Sequence, residues 1–215
     1  MDLNIFILAI IVANIIISYK GFSDVYFFRK YEFHIGSIRS GDQIRMVSSG
    51  FLHGDIPHLA FNMITLYFFA PIVCAYLSSF SFLLIYFGSL IFGSLLTLMM
   101  HKNDYSYRAI GASGAVTGII YSAILLDPNL NINFMFIPID IPGYVFGVGY
   151  LLYSIYGMKA QNDNIGHTAH FGGAIGGYLI TLLKEPIILT EHLFLVVVLA
   201  IPIVILYFLT KAGKL

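Results

Sequence analysis

Seven apolar runs, each close to the length that spans a bilayer, divide this chain, and no other feature constrains its fold as strongly. Roughly 20 apolar residues carry a helix across the hydrocarbon layer with its backbone polar groups satisfied internally. The runs lie at about 3–19, 57–78, 81–100, 111–126, 142–158, 166–183 and 192–210, with ends read to within ~2–4 residues. The fourth and sixth are short and glycine-rich, which suits helices enclosed by the others. None alternates as the strands of a membrane barrel do. The expected fold is an all-α polytopic membrane protein, with residues 1–215 forming a single membrane domain. Composition agrees: 59% of residues are apolar and 10% charged, against about 25% charged in soluble domains. Eleven Lys+Arg balance eleven Asp+Glu, so net charge offers nothing to nucleic acid. Cys74 is the only cysteine, which excludes an internal disulfide and a cysteine metal site.

The first run lacks a positive leader region and an Ala-x-Ala site, so it is expected to be a retained helix. The segment from Lys20 to Ile56 mixes charges (Arg29, Lys30, Glu32, Arg39, Asp42, Arg45) with aromatics (Phe22, Tyr26, Phe28, Tyr31, Phe51). Such a mix suits a structured segment in the membrane interface. The connection from Asp127 to Ile141, with Pro128 and Pro138, reads as an extended turn.

The second, fourth and sixth helices must run in one direction, since one antiparallel crossing separates each from the next. Their first turns therefore share one membrane face. His58 and Asn62 start the second helix, Ser113 the fourth and His170 the sixth. Polar groups at that depth call for a function. His58 and Asn62, four residues apart, project from one helix face and could donate to a small anion, as an oxyanion hole requires. Backbone N–H groups at the start of the fourth helix, that of Ser113 among them, could add to it. Serine is a poor nucleophile without a base, and His170 is placed to be one. No Asp or Glu lies at 57–100 or 165–183, so the arrangement is a Ser–His dyad in which packing orients the imidazole. Gly114 with Gly118, and Gly173 with Gly177, form two G-x-x-x-G pairs that let helix backbones approach closely.

Each residue has a plainer reading. Small residues around Ser113 could serve packing alone, and His170 could be a packing or relay residue. His58 and Asn62 could simply bond neighbouring helices, and His53 could make an ordinary loop hydrogen bond. His101, His167 and His192, at helix ends, read as interfacial, and Cys74 as an inert buried thiol.

In combination these residues resemble the rhomboid family of intramembrane serine proteases. The resemblance runs from about Gly41 to Lys184. It rests on Arg45, on His53 through His58 to Asn62, on Gly111-Ala112-Ser113-Gly114 as a G-x-S-G motif, and on Ala169-His170-Phe171-Gly172-Gly173 with Gly177. The run Phe136–Pro142 is also similar to the family's approach to its fifth helix. The resemblance implies a rhomboid-like six-helix bundle, with the seventh helix at about 192–210 an addition to it. It implies Ser113 as nucleophile, His170 rather than His167 as base, and His58, Asn62 and the Ser113 backbone as the oxyanion hole. It involves no cofactor and no metal. Two positions depart from the family: Ile44 stands where a tryptophan often precedes the loop arginine, and Thr117 where an aromatic often follows the nucleophile by four residues.

The implied reaction is hydrolysis of peptide bonds in or near transmembrane segments. The implied partners are transmembrane protein substrates in a lipid bilayer, with no nucleic acid and no obligate protein partner. The fifth helix and the loop Met158–Ile165 would be gate and cap. Family practice puts the site on the extracytoplasmic side of the plasma (inner) membrane. The positive-inside rule points the other way, because every Lys and Arg except Lys184 lies on the active face. An inactive rhomboid-like binder of membrane segments, or a small transporter, would be the alternatives.

Overall fold

The computed structural model describes residues 4–134, 137–163 and 165–215. Its long helices are α1 (Ile5–Ser23), α2 (Ile56–Tyr76), α3 (Ser79–Met100), α4 (Ser113–Leu126), α5 (Gly143–Ala160), α6 (His167–Lys184) and α7 (Leu193–Lys211). The protein is an all-α polytopic membrane protein: α1, α2, α3 and α7 are each long and apolar enough to cross a membrane. Only α1 departs clearly from the boundaries read in the sequence, continuing to Ser23. Lys20 closes an ion pair with Asp24 at 2.9 Å, and Gly21 is buried against Leu52 and Phe28. Polar neighbours and close packing thus carry the helix past its apolar limit.

The short helix α4 is the axis of the bundle. Every residue from Gly114 to Leu126 is buried, and α2, α3 and α6 all pack on it. Its contact with α6 is backbone against backbone. A Cβ added at Gly173 would run into the carbonyl of Gly114, and one at Gly177 into that of Gly118. The two G-x-x-x-G pairs therefore face each other. On the third side, a Cβ at Gly93 of α3 would sit 2.6 Å from the Ala169 carbonyl oxygen of α6. One deeply buried polar link joins the same helices, from the Thr181 hydroxyl to Ser122 Oγ at 2.8 Å.

The segment between α1 and α2 has structure of its own: short helices Val25–Tyr31, Ile35–Arg39 and Arg45–Ser48, then the 3-10 turn Ser49–Phe51. Its strand β1 (Phe33–His34) pairs antiparallel with β2 (Arg108–Ala109), just upstream of Ser113. Arg45 gathers the segment, donating to Asp42 Oδ2 at 2.6 Å, to the Arg29 carbonyl at 2.8 Å and to the Glu32 carbonyl at 3.1 Å. Ile44, at the position of the missing tryptophan, is exposed. The buried Glu32 carboxylate pairs with both Arg29 and Arg108.

The extended turn expected at 127–141 is instead a hairpin. Strands β3 (Asn131–Phe134) and β4 (Ile137–Pro142) pair antiparallel, with Ile132 opposite Ile141 and Asn133 opposite Asp140. Isoleucines at 137, 139 and 141 alternate with period two, a strand signal that the prolines obscured; an edge strand tolerates proline. Phe136, in the run that resembles the family's approach to helix five, lies outside the described residues. After it, α7 packs along α5: the Tyr144 and Phe194 rings lie 5.9 Å apart, and Leu199 sits against Gly147.

Because the α4–α6 contact has no room for a side chain, Gly177→Leu should lower stability by more than about 3 kcal/mol, above the ordinary cost of overpacking. Thermal unfolding in detergent checks this. A variant that unfolds with the wild type would show that the helices can separate freely.

Candidate active site

Ser113 is the first residue of α4, and its N-cap, Ala112, offers no side-chain cap. The first N–H groups of that helix are thus available to a ligand. The turn into α4 depends on Gly111, whose φ of 113° lies in the left-handed region that glycine alone enters without strain. A Cβ at Gly111 would also lie 2.8 Å from His58 Nε2 and 3.7 Å from Ser113 Oγ. The His58 ring and the Ser113 hydroxyl therefore flank one small space.

His53 holds that turn from below. It is fully buried, and Ala112 N–H donates to its Nε2 at 3.3 Å. Its Nδ1 must then carry the proton, which it gives to Ser18 Oγ at 2.8 Å. Ser18 in turn donates to the Phe51 carbonyl at 2.9 Å. This relay ties α1 to the residue before Ser113. Burial, with the neighbouring His58 next, pushes the His53 pKa from the usual 6.5 to about 3, so the ring stays neutral, as accepting from Ala112 requires. The sequence reading of an ordinary loop hydrogen bond understates this position.

The glycine contact between α4 and α6 sets the distance that matters most: His170 Nε2 lies 2.6 Å from Ser113 Oγ. The other ring nitrogen has a partner the sequence did not reveal. Tyr150 of α5 places its hydroxyl 2.7 Å from His170 Nδ1, with the two rings stacked at 21° and 5.9 Å. The sequence reading has packing rather than a carboxylate orient the imidazole; to that packing the structure adds this hydrogen bond. Thr117, which replaces the usual aromatic, spends its hydroxyl hydrogen on the Ser113 carbonyl at 2.7 Å.

His58 and Asn62 share a face of α2, as spaced. Asn62 is buried and donates one amide hydrogen to the His58 carbonyl at 2.9 Å, which leaves its second amide hydrogen for another acceptor. A cavity of about 30 Å³ lies beside Ser113, bounded by Ser49, Ser94, Thr97, Gly111 and Gly166 among others. By volume it accommodates roughly two waters.

Two histidines read as interfacial from their helix-end positions make defined contacts within the protein. His167 is 4% exposed and wedged against Gly157 of α5, with Nε2 3.1 Å from both Asp163 oxygens. The Ile165 N–H, then His167, hold the Asp163 carboxyl below its usual range. His167 makes no hydrogen bond to Ser113; its ring lies 6.3 Å from that of His170. His101 stacks on Tyr107 at 3.9 Å and reaches Thr168 Oγ1 at 3.2 Å. Cys74 is half-buried.

The sequence matches the Rhomboid domain over residues 40–186. The chain belongs to the rhomboid family. It is 32% identical over 148 residues to a Bacillus subtilis protein named "Putative rhomboid protease YdcA", across 68% of this chain and 69% of that one. It is 26% identical over 185 residues to RHOMBOID-like protein 12, mitochondrial, of Arabidopsis thaliana, across 78% of this chain and 55% of the relative. Rhomboid protease GluP of Bacillus subtilis is 30% identical over 149 residues, which cover 66% of this chain and 26% of GluP. The chain thus spans about half the Arabidopsis relative and about a quarter of GluP.

The neutral His53 relay has a pH signature. Its folded pKa lies below its unfolded value, so the unfolded state binds more protons between about pH 6.5 and 3, and stability should fall as pH drops through that window. His53→Gln keeps an acceptor and a donor but does not titrate. It should fold and lose part of the acid slope in thermal unfolding; an unchanged slope would remove His53 from the account.

Proposed function

We propose that this rhomboid is an active intramembrane serine protease that hydrolyses peptide bonds in or near transmembrane segments of other membrane proteins. The observation that carries the reading is the 2.6 Å contact between His170 Nε2 and Ser113 Oγ, made beside an uncapped helix N-terminus. The names of two relatives, YdcA and GluP, include a protease activity, which supports the same reading.

In this mechanism Ser113 Oγ attacks the scissile carbonyl carbon while His170 Nε2 takes the hydroxyl proton. The carbonyl oxygen becomes an oxyanion, stabilised by the Ser113 N–H, His58 and Asn62. The carbon–nitrogen bond then breaks and His170 gives its proton to the departing amine, leaving an ester on Ser113. Water, for which the cavity beside Ser113 has room, attacks that ester as His170 again takes a proton. Collapse of the second intermediate restores the serine hydroxyl and releases the new carboxylate. No metal or cofactor enters any step. A substrate helix must unwind locally for its peptide bond to be reached, so helix-breaking residues near the cut favour cleavage. Helix α5 and the loop after it are the proposed gate and cap; Asn164 of that loop lies outside the described residues.

The plasma (inner) membrane is the proposed location, with the site facing the extracytoplasmic side. A cysteine introduced near Lys159 should then be labelled by an impermeant reagent from outside intact cells. Labelling from the cytoplasm alone would reverse the orientation and restore the charge rule.

Cleavage of a transmembrane substrate in liposomes tests the activity. Wild type should cut; Ser113→Ala and His170→Ala should not. His58→Ala and Asn62→Ala should each slow kcat by about 10²–10³, the usual cost of losing an oxyanion donor. His167→Ala should be affected far less than His170→Ala. Full activity in Ser113→Ala would overturn the mechanism.

A further inference from the structure

We infer that Tyr150 is the positioning residue of the dyad: its hydroxyl oxygen accepts a hydrogen bond from His170 Nδ1–H and so holds the imidazole in the one tautomer that can accept the serine proton. The inference rests on the proposed hydrolytic role of Ser113 and His170. It concerns a residue from outside the family's sequence motifs, on a helix that supplies none of the other proposed groups.

Hydrogen counting carries the argument. Nε2 can accept from Ser113 only if the ring proton sits on Nδ1. At 2.7 Å the Tyr150 hydroxyl either accepts that proton's hydrogen bond or donates to a bare Nδ1. The second arrangement puts the proton on Nε2, where it points at Ser113 Oγ and cannot take the serine proton. Only the first arrangement leaves Nε2, 2.6 Å from Ser113 Oγ, free to take the serine proton, so the proposed role of His170 selects it. Thr117, where the family often carries an aromatic, turns its hydroxyl hydrogen to the Ser113 carbonyl, and the ring beside His170 comes from α5 instead.

Tyr150 fills the place that a carboxylate takes in a Ser–His–acid triad, with a neutral acceptor in place of an anion. When His170 holds the serine proton both ring nitrogens donate, and Nδ1 keeps the same partner through the cycle. Stacking with His170 adds contact, and Phe146 stacks on Tyr150 from the next turn of α5 at 5.8 Å and 10°. The backbone of α5 is pinned here, because the Tyr121 hydroxyl of α4 donates to the Gly147 carbonyl at 2.6 Å and Leu199 of α7 packs on the same glycine. The added seventh helix thus supports the helix that orients the base.

The test combines kinetics with the state of the ring. Tyr150→Phe keeps the stack and removes the oxygen; it should fold normally, lower kcat about 10- to 100-fold and leave KM nearly unchanged, as misorientation of a catalytic group does. In nitrogen-15 spectra of histidine-labelled protein, assigned with His170→Gln, wild-type His170 should show a protonated Nδ1 and a bare Nε2. Tyr150→Phe should show mixed tautomers. A Tyr150→Phe enzyme with kcat within about twofold of wild type, or unchanged His170 signals, would overturn the inference. If wild type cleaves nothing yet its His170 tautomer shifts in Tyr150→Phe, the hydrolase reading falls while the tautomer assignment stands.

Discussion

The contact between α4 and α6, backbone on backbone with no side chain between them, is the constraint on which the rest depends. In a membrane interior helices gain little from hiding apolar surface, and close packing of small residues takes over that role. Here it does more than hold two helices together. Gly114 and Gly118 meet Gly173 and Gly177 one turn at a time, which fixes rotation and depth as well as distance. Ser113 precedes the first glycine of one stripe and His170 lies three residues before the first of the other. Their 2.6 Å approach is a direct result of that register.

Around this contact, buried hydrogen bonds are arranged as directional chains. One runs from the Ala112 N–H through His53 and Ser18 to the Phe51 carbonyl and fixes the turn into Ser113. Another runs from the Ser113 hydroxyl through His170 to the Tyr150 oxygen. Each histidine must keep a particular tautomer for its chain to close, and in His53 burial favours the neutral form. The loop between α1 and α2 contributes through Arg45, which binds two carbonyls and a carboxylate. It also contributes through β1, which pairs with the strand leading toward Ser113.

Much of this was legible in the chain. Apolar run length located all seven of the helices α1 to α7, four of them long enough to cross a membrane and α4 a shorter one enclosed by its neighbours. Helix parity put His58, Asn62, Ser113 and His170 at one end, and the glycine spacing announced the α4–α6 contact. Three features escaped. The 131–142 hairpin was hidden by prolines that an edge strand can accept. The burial of His167 beneath α5 could not be told from an interfacial helix end, since both place a histidine at a first turn. Tyr150 was invisible because its partner is 20 residues away on another helix and α5 carries several tyrosines with nothing in spacing to select one. Which ring meets His170 depends on how α5 is rotated, and that is set by Gly147 against Tyr121 and Leu199.

If His170 makes Ser113 a nucleophile, the serine should react with an electrophilic phosphonate only while the imidazole is in place. A fluorophosphonate reagent followed by peptide mapping by mass spectrometry reads this without needing the natural substrate. A phosphonate adduct is expected on Ser113 alone in the wild-type protein, and none in a folded His170→Ala variant. An adduct on Ser113 that forms equally fast without His170, or on a different serine, would contradict it.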